Sequence, residues 1–164
     1  MRSVETVRTV RTVRSVRNVK IVSGLFAVAL LSISSSSYAF KLIMDDEAKL
    51  PAAAGSMTTR GITRGPGIKV VSPDLSAGPL KSPFNLKLAF EPRGGAKIDA
   101  ASLKISYLKA TPIDLLARVK SGVSESGIDL ANAEIPPGEH SIQVSLQDSE
   151  GRKSTTVITL TVEK

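Results

Sequence analysis

Residues Phe84-Asn85-Leu86-Lys87-Leu88-Ala89-Phe90-Glu91 decide the fold class. Apolar Phe84, Leu86, Leu88 and Phe90 alternate with Asn85, Lys87, Ala89 and Glu91. A period of two sends successive side chains to opposite faces of an extended chain, so this stretch reads as a strand with one face in a core and one in water. The same period recurs toward the C-terminus. Leu103, Ile105 and Tyr107 alternate with Lys104 and Ser106, and Ile142, Val144 and Leu146 with Gln143, Ser145 and Gln147. Ile158, Leu160 and Val162 alternate with Thr159 and Thr161, and a shorter strand covers Ile68 to Ser72. Turn-forming clusters separate these runs: Ser72-Pro73-Asp74, Pro92-Arg93-Gly94-Gly95, Pro136-Pro137-Gly138 and Ser149-Glu150-Gly151.

Short strands at regular spacing, without a long helix, predict an all-β sandwich in which two sheets share one core. The expected core is Ile68, Val70, Phe84, Leu86, Leu88, Phe90, Leu103, Ile105, Tyr107, Ile142, Val144, Leu146, Ile158, Leu160 and Val162. Residues 112–135 are less regular. Ile113, Leu115 and Ala117 fit a strand, whereas Ile113, Leu116, Ala117 and Lys120 fit a helical turn and a half. The strand is the reading taken for 112–120. A further short strand is expected at Ile128 and Leu130, with Ile135 buried before the corner that follows.

Working outward to the N-terminus, the pattern changes character. A basic run ends at Lys20, an apolar block runs from Ile21 to Ile33, and four serines lead to Ser37-Tyr38-Ala39. Positive, apolar and small-residue regions in that order describe a secretory signal peptide over residues 1–39, cut between Ala39 and Phe40. The block is shorter than the roughly 20 apolar residues of a membrane span, so membrane contact is expected only before cleavage. The n-region repeats a Ser/Thr-Val-Arg triplet, with valine at Val4, Val7, Val10, Val13, Val16 and Val19. A period of three matches no helical stripe, and no aromatic is interleaved for stacking on bases. Residues 1–39 hold six basic side chains and one acid, so their removal lowers the net charge from +7 to +2. A mature chain that is nearly neutral lacks the electrostatic footprint of a nucleic-acid binder. Residues 40–67 show no period and carry linker-like Pro51-Ala52-Ala53-Ala54-Gly55-Ser56 and Thr63-Arg64-Gly65-Pro66-Gly67, so an irregular linker is expected there. The chain has no cysteine, which excludes disulfides and a lipoprotein cleavage site and leaves stability to the core.

The stretch Ile135-Pro136-Pro137-Gly138-Glu139-His140, its alternating strand through Leu146, and then Asp148-Ser149-Glu150-Gly151 resembles the penultimate strand of bacterial immunoglobulin-like (Ig-like) domains. The likeness rests on a Pro-x-Gly-x-(His/Tyr) corner, here Pro136/Pro137, Gly138 and His140, and on an Asp-x-x-Gly turn, here Asp148 and Gly151. It implies an Ig-like antiparallel sandwich of about seven strands over residues 68–164. It implies no particular activity, because such domains serve many functions.

The chemistry-bearing residues are few. His140, the single histidine, shares the inward parity of Ile142 and follows a Pro-Gly turn. With no Gly-x-Ser-x-Gly elbow and no cysteine, it reads as a structural corner residue beside Gly138 and Gly151, not as a base. Soft-metal sites lack ligands. Three acids, Asp99 in the loop after Phe90 and Asp148 and Glu150 in the loop after Leu146, fall at one end of an Ig-type sandwich. They are the candidates for a hard cation or a small cation-dependent hydrolase. The mature chain holds no tryptophan and only four Phe or Tyr, three of them assigned to the core, which weakens a carbohydrate-binding reading. The expectation is an exported, non-enzymatic module without a cofactor that binds a protein partner in the cell envelope or serves as an accessory subunit. Val71, Leu108 and Val157 fall on outward parities and would form a partner patch if they cluster.

Overall fold

The computed structural model describes residues 40–55 and 64–164. The expected signal segment, its triplet repeat and Ala39 lie outside the described residues, as do residues 56–63 of the expected linker.

Two β-sheets enclose one apolar core. The first contains β1 (Phe40–Lys41), β2 (Gly67–Ser72), β3 (Phe84–Glu91), β6 (Val123–Ser124) and β7 (Gly127–Glu134). Its order is β1-β7-β3-β2, with β6 also paired to β7. The second contains β4 (Ile98–Tyr107), β5 (Ile113–Asp114), β8 (Gly138–Asp148) and β9 (Lys153–Val162), in the order β5-β4-β8-β9. All pairings are antiparallel except β1 with β7. Three of the nine strands span only two residues.

Alternation does what the sequence expects. Leu86, Leu88 and Phe90 on β3, Ile142, Val144 and Leu146 on β8, and Ile158, Leu160 and Val162 on β9 are all buried. Ile68, Val70 and Phe84 lie half-buried at the margin of the same core. The core also takes in Ile128, Leu130, Ala133 and Ile135 from β7 and the corner after it.

The expected linker over residues 40–67 is corrected at both of its described ends. Leu42 and Ile43 are each 1 % exposed and belong to the core. β1 pairs with Ala133 and Glu134, and a short helix, α1 (Asp45–Ala48), follows. Arg118 clamps this N-terminal strap. Its guanidinium donates to Glu47 Oε1 (2.6 Å), Glu47 Oε2 (2.7 Å) and the Leu42 carbonyl (3.0 Å). At the other end, Gly65 packs so closely on β9 that a Cβ there would meet Ser154 Oγ at 2.7 Å and the Arg152 carbonyl oxygen at 2.9 Å. The strap has no period because its elements are one or two residue pairs long, too short to display one.

Residues 112–120 combine the two readings. β5 gives way at once to α2 (Leu116–Val119) and a 3-10 turn over Lys120–Gly122. Leu115 and Val119, four apart, are buried, whereas Ala117 is exposed, so the strand parity fails beyond Asp114. Asp99 is also relocated: it lies within β4, opposite Gln147, and not in a loop. The pairing of β4 with β8 breaks between Asp99 and Lys104, and that irregularity hid the first half of the strand.

Candidate functional site

β8 carries a polar residue on its inward face near each end, and these two residues organise the candidate sites. At the start, Gly138 adopts φ +133, a conformation that side-chain-bearing residues rarely take, and turns the chain from Pro136-Pro137 into the strand. His140 then points inward and is 2 % exposed. Its Nε2 lies 2.8 Å from the Pro136 carbonyl oxygen and its Nδ1 lies 2.8 Å from Tyr107 Oη. A carbonyl can only accept, so Nε2 carries a proton, and in the neutral ring Nδ1 accepts from the tyrosine hydroxyl. Both ring nitrogens are satisfied. Burial pushes its pKa below the ordinary 6.5, the Pro136 bond and Glu139 oppose that shift, and the Lys109 charge adds to it.

Lys109 extends the corner to the N-terminal strap. It is 7 % exposed, and its Nζ donates to the carbonyls of Ala48 (2.8 Å) and Leu50 (2.9 Å) at the end of α1. The same ammonium stands 4.9 Å from the centre of the Tyr107 ring, a favourable placement over the π face. Lys109, Tyr107, His140 and Pro136 thus form one connected chain of contacts. Nothing in the sequence near Lys109 announces this role, because its acceptors lie about sixty residues away.

At the other end of β8, Asp148 is buried. Its Oδ1 accepts from the backbone N–H groups of Glu150 (3.0 Å) and Arg152 (2.9 Å), and its Oδ2 accepts from Arg152 Nε (2.7 Å). Gly151 takes φ +76 to close the turn. Burial pushes the Asp148 carboxyl up, but the Arg152 guanidinium and these backbone donors outweigh it and hold the pKa below the ordinary value. Asp148 is therefore a turn organiser whose charge is already matched.

The three candidate cation ligands do not converge. Ile98 pairs with Asp148 and Asp99 with Gln147, and adjacent strand residues project to opposite faces. Asp148 therefore faces inward while Asp99 faces out, where it accepts from the Ala101 N–H. Glu150 is exposed and pairs with Arg152 at 3.1 Å. Among the described residues no group of three or more His, Cys, Asp or Glu side chains is arranged to hold a metal ion.

The expected apolar patch is dispersed. Val71 is 53 % exposed on β2 of the first sheet, whereas Val157 is half-buried on β9 of the second and Leu108 is half-buried just after β4. Val71 instead lines a shallow surface hollow with Val70, Pro73 and Leu75. Another hollow is lined by Ala100, Ala101, Leu116, Val123, Asp114 and Lys120, and Asp114 is already engaged by the Leu116 N–H at 2.7 Å. Among the described residues no buried side-chain nitrogen or oxygen lacks a hydrogen-bond partner. No helix among them is long and apolar enough to cross a membrane. Comparison of the chain with protein-family models, with curated proteins and with solved structures finds no match.

Proposed function

We propose that residues 1–39 are a signal peptide and that the exported chain is a non-enzymatic Ig-like module that binds a protein partner in the cell envelope. The observation that carries the Ig-like part of this reading is the strand order. Setting aside the N-terminal β1, the sheets run β2-β3-β7-β6 and β5-β4-β8-β9. Lettered in chain order, with β5 as the extra strand C′, these become A-B-E-D and C′-C-F-G, the arrangement of Ig-type sandwiches. The corner supports the same reading. Ig-type domains place a tyrosine near the start of strand F that bonds back to the backbone a few residues upstream. Here His140 occupies that place and bonds to Pro136, four residues back.

The expected cut is compatible with the described fold: it falls before β1, so Leu42 and Ile43 of the core stay with the mature chain. Cleavage there leaves the strap whole. A non-catalytic role is supported by the state of the polar groups. His140 and Asp148 spend their hydrogen-bonding capacity on fold partners, and a general base or cation ligand needs that capacity free. The hydrolase and calcium readings lose Asp148 for this reason.

The test expresses the full chain in a bacterial host with a C-terminal tag. The envelope form should begin at Phe40 by N-terminal sequencing, and Ala39→Arg should leave it uncut. Crosslinking followed by tag capture from the envelope should recover one stoichiometric protein partner. An exported chain that retains Met1, or a protein that crosslinks to nothing specific, would overturn the respective half of the proposal.

A further inference from the structure

An exposed sheet edge is a template for another strand unless it is shortened, bulged, charged or covered. The edges of this sandwich are managed unequally. β1, β5 and β6 are two residues each, and β2 carries a register shift between Val70 and Ser72. β9 differs. It is ten residues long, and Ser154 to Val162 hold no charge.

The direction of its main-chain groups can be read from one bridge. Leu80 N–H donates to the Thr161 carbonyl (2.7 Å), and Glu163 N–H donates to the Leu80 carbonyl (2.9 Å). Odd-numbered residues of β9 therefore aim their backbone groups away from β8, since successive residues alternate. Leu80 covers one end of the edge, and Gly65 presses on Arg152 to Ser154 at the other. Between them, Thr155, Val157 and Thr159 present N–H and C=O groups with no hydrogen-bond partner among the described residues.

We propose that the Thr155–Thr159 edge of β9 is a strand-addition site for a short extended segment of a partner protein. This rests on the binding-module reading above and supplies its mode of recognition. The length of this interval, open among the described residues, selects the occupant. A second copy of β9, paired antiparallel about Val157, would carry its Lys153 into the place held by Leu80. A ten-residue strand therefore does not fit, and a segment of about five residues does. Three edge residues offer six main-chain donors and acceptors. Alternate side chains of the added strand fall toward the flank between β9 and β2, where Ile68 and Val70 are half-buried. Apolar residues at every second position suit that flank. The opposite side chains lie beside Thr155, Val157 and Thr159 on a neutral outer face.

The probe is the synthetic peptide Lys-Val-Thr-Val-Thr-Val-Lys, added to the mature chain and followed by amide exchange in NMR. Exchange at Thr155, Val157 and Thr159 should be fast in the free protein and slow by about tenfold or more with peptide, because each becomes part of a ladder. The same peptide N-methylated at alternate amides should have no effect, which tests the edge without altering the protein. Val157→Pro removes only an outward-facing N–H and is tolerable on an edge strand; it should abolish the protection at Thr155 and Thr159. Protection already present without peptide, equal protection by the N-methylated peptide, or a dimer by sedimentation would each overturn the proposal. The two readings fail separately. A captured envelope partner that still binds the folded Val157→Pro variant sinks this site and leaves the binding module intact. Peptide binding without any envelope partner does the reverse.

Discussion

The two ends of β8 solve one problem in different ways. Each buries a polar side chain on the inward face, with Ile142, Val144 and Leu146 between them. At the Asp148 end the group is charged, and its partners, Glu150 and Arg152, lie within four residues. At the His140 end the group is neutral, and of its two partners Tyr107 comes from another strand, thirty-three residues away. A buried charge needs several donors arranged around it, and a tight turn supplies them without help from the rest of the fold. A neutral imidazole needs only one donor and one acceptor, so distant elements can provide them. The Asp148 end is a local device, whereas the His140 end is a fastener between β4, β8 and, through Lys109, the N-terminal strap.

His140→Ala should break this contrast most severely. It removes the ring and leaves the Tyr107 hydroxyl and the Pro136 carbonyl unpaired in a buried site. Urea unfolding should show a loss of about 3 to 5 kcal/mol, combining a cavity with two orphaned groups. If His140 is only a local turn residue, the loss will stay near that of an exposed substitution, and the fastener reading fails. Tyr107→Phe, combined with it in a double-mutant cycle, should reveal the coupling directly.

Lys109→Met tests how far the fastener reaches. The apolar stem is kept, while the donors to Ala48 and Leu50 are lost. The expected cost is about 2 kcal/mol, concentrated in the strap. Exchange of the Leu42 and Ala110 amides, which bond to Glu134 and Pro51, should accelerate more than exchange in β8. Uniform acceleration would show that the strap does not open separately.

Gly151→Ala probes the Asp148 end with a smaller change. Nothing lies within 4 Å of an added Cβ, so only the φ of +76 opposes it. A loss of about 1 kcal/mol is expected from the left-handed backbone alone, measured by thermal unfolding. A clearly larger loss would mean that the turn does more than close on itself.

The weakest effect is a slope of stability with pH, and it separates the two ends. His140 has a folded pKa below the ordinary 6.5, so the unfolded chain takes up its proton first. Its contribution is complete above about 6.5 and declines as pH falls through the interval below it. Asp148 has a folded pKa below the ordinary 3.8. Its contribution is present above that value and is lost as pH falls through the folded one. Urea unfolding from pH ~8 downward should therefore show two separate declines, one setting in below the ordinary imidazole value of 6.5 and one below the ordinary carboxyl value of 3.8. A His140→Gln variant should lose the first and keep the second. A single decline at low pH in the natural chain would place the imidazole in contact with water.

Sequence alone determined what repeats or stays local. The period of two over residues 84–91, 103–107, 142–147 and 158–162 assigned the strands and most of the core, because the pleat forces alternate side chains to one face. Asp148 and Gly151 were legible as a turn, since the bonds to the Asp148 carboxylate lie within the loop. His140 was legible as an inward corner residue from its parity and the Pro-Gly before it. Only the tertiary structure decided the rest. Tyr107 as the partner of His140, Lys109 under α1, Arg118 on Glu47 and the burial of Leu42 and Ile43 are contacts across dozens of residues. Single residue pairs of that kind leave no period in the chain. The same holds for the edge of β9. Its alternation fixed which side chains face the core, but which main-chain groups lack a partner among the described residues depends on where Leu80 and Gly65 come to rest.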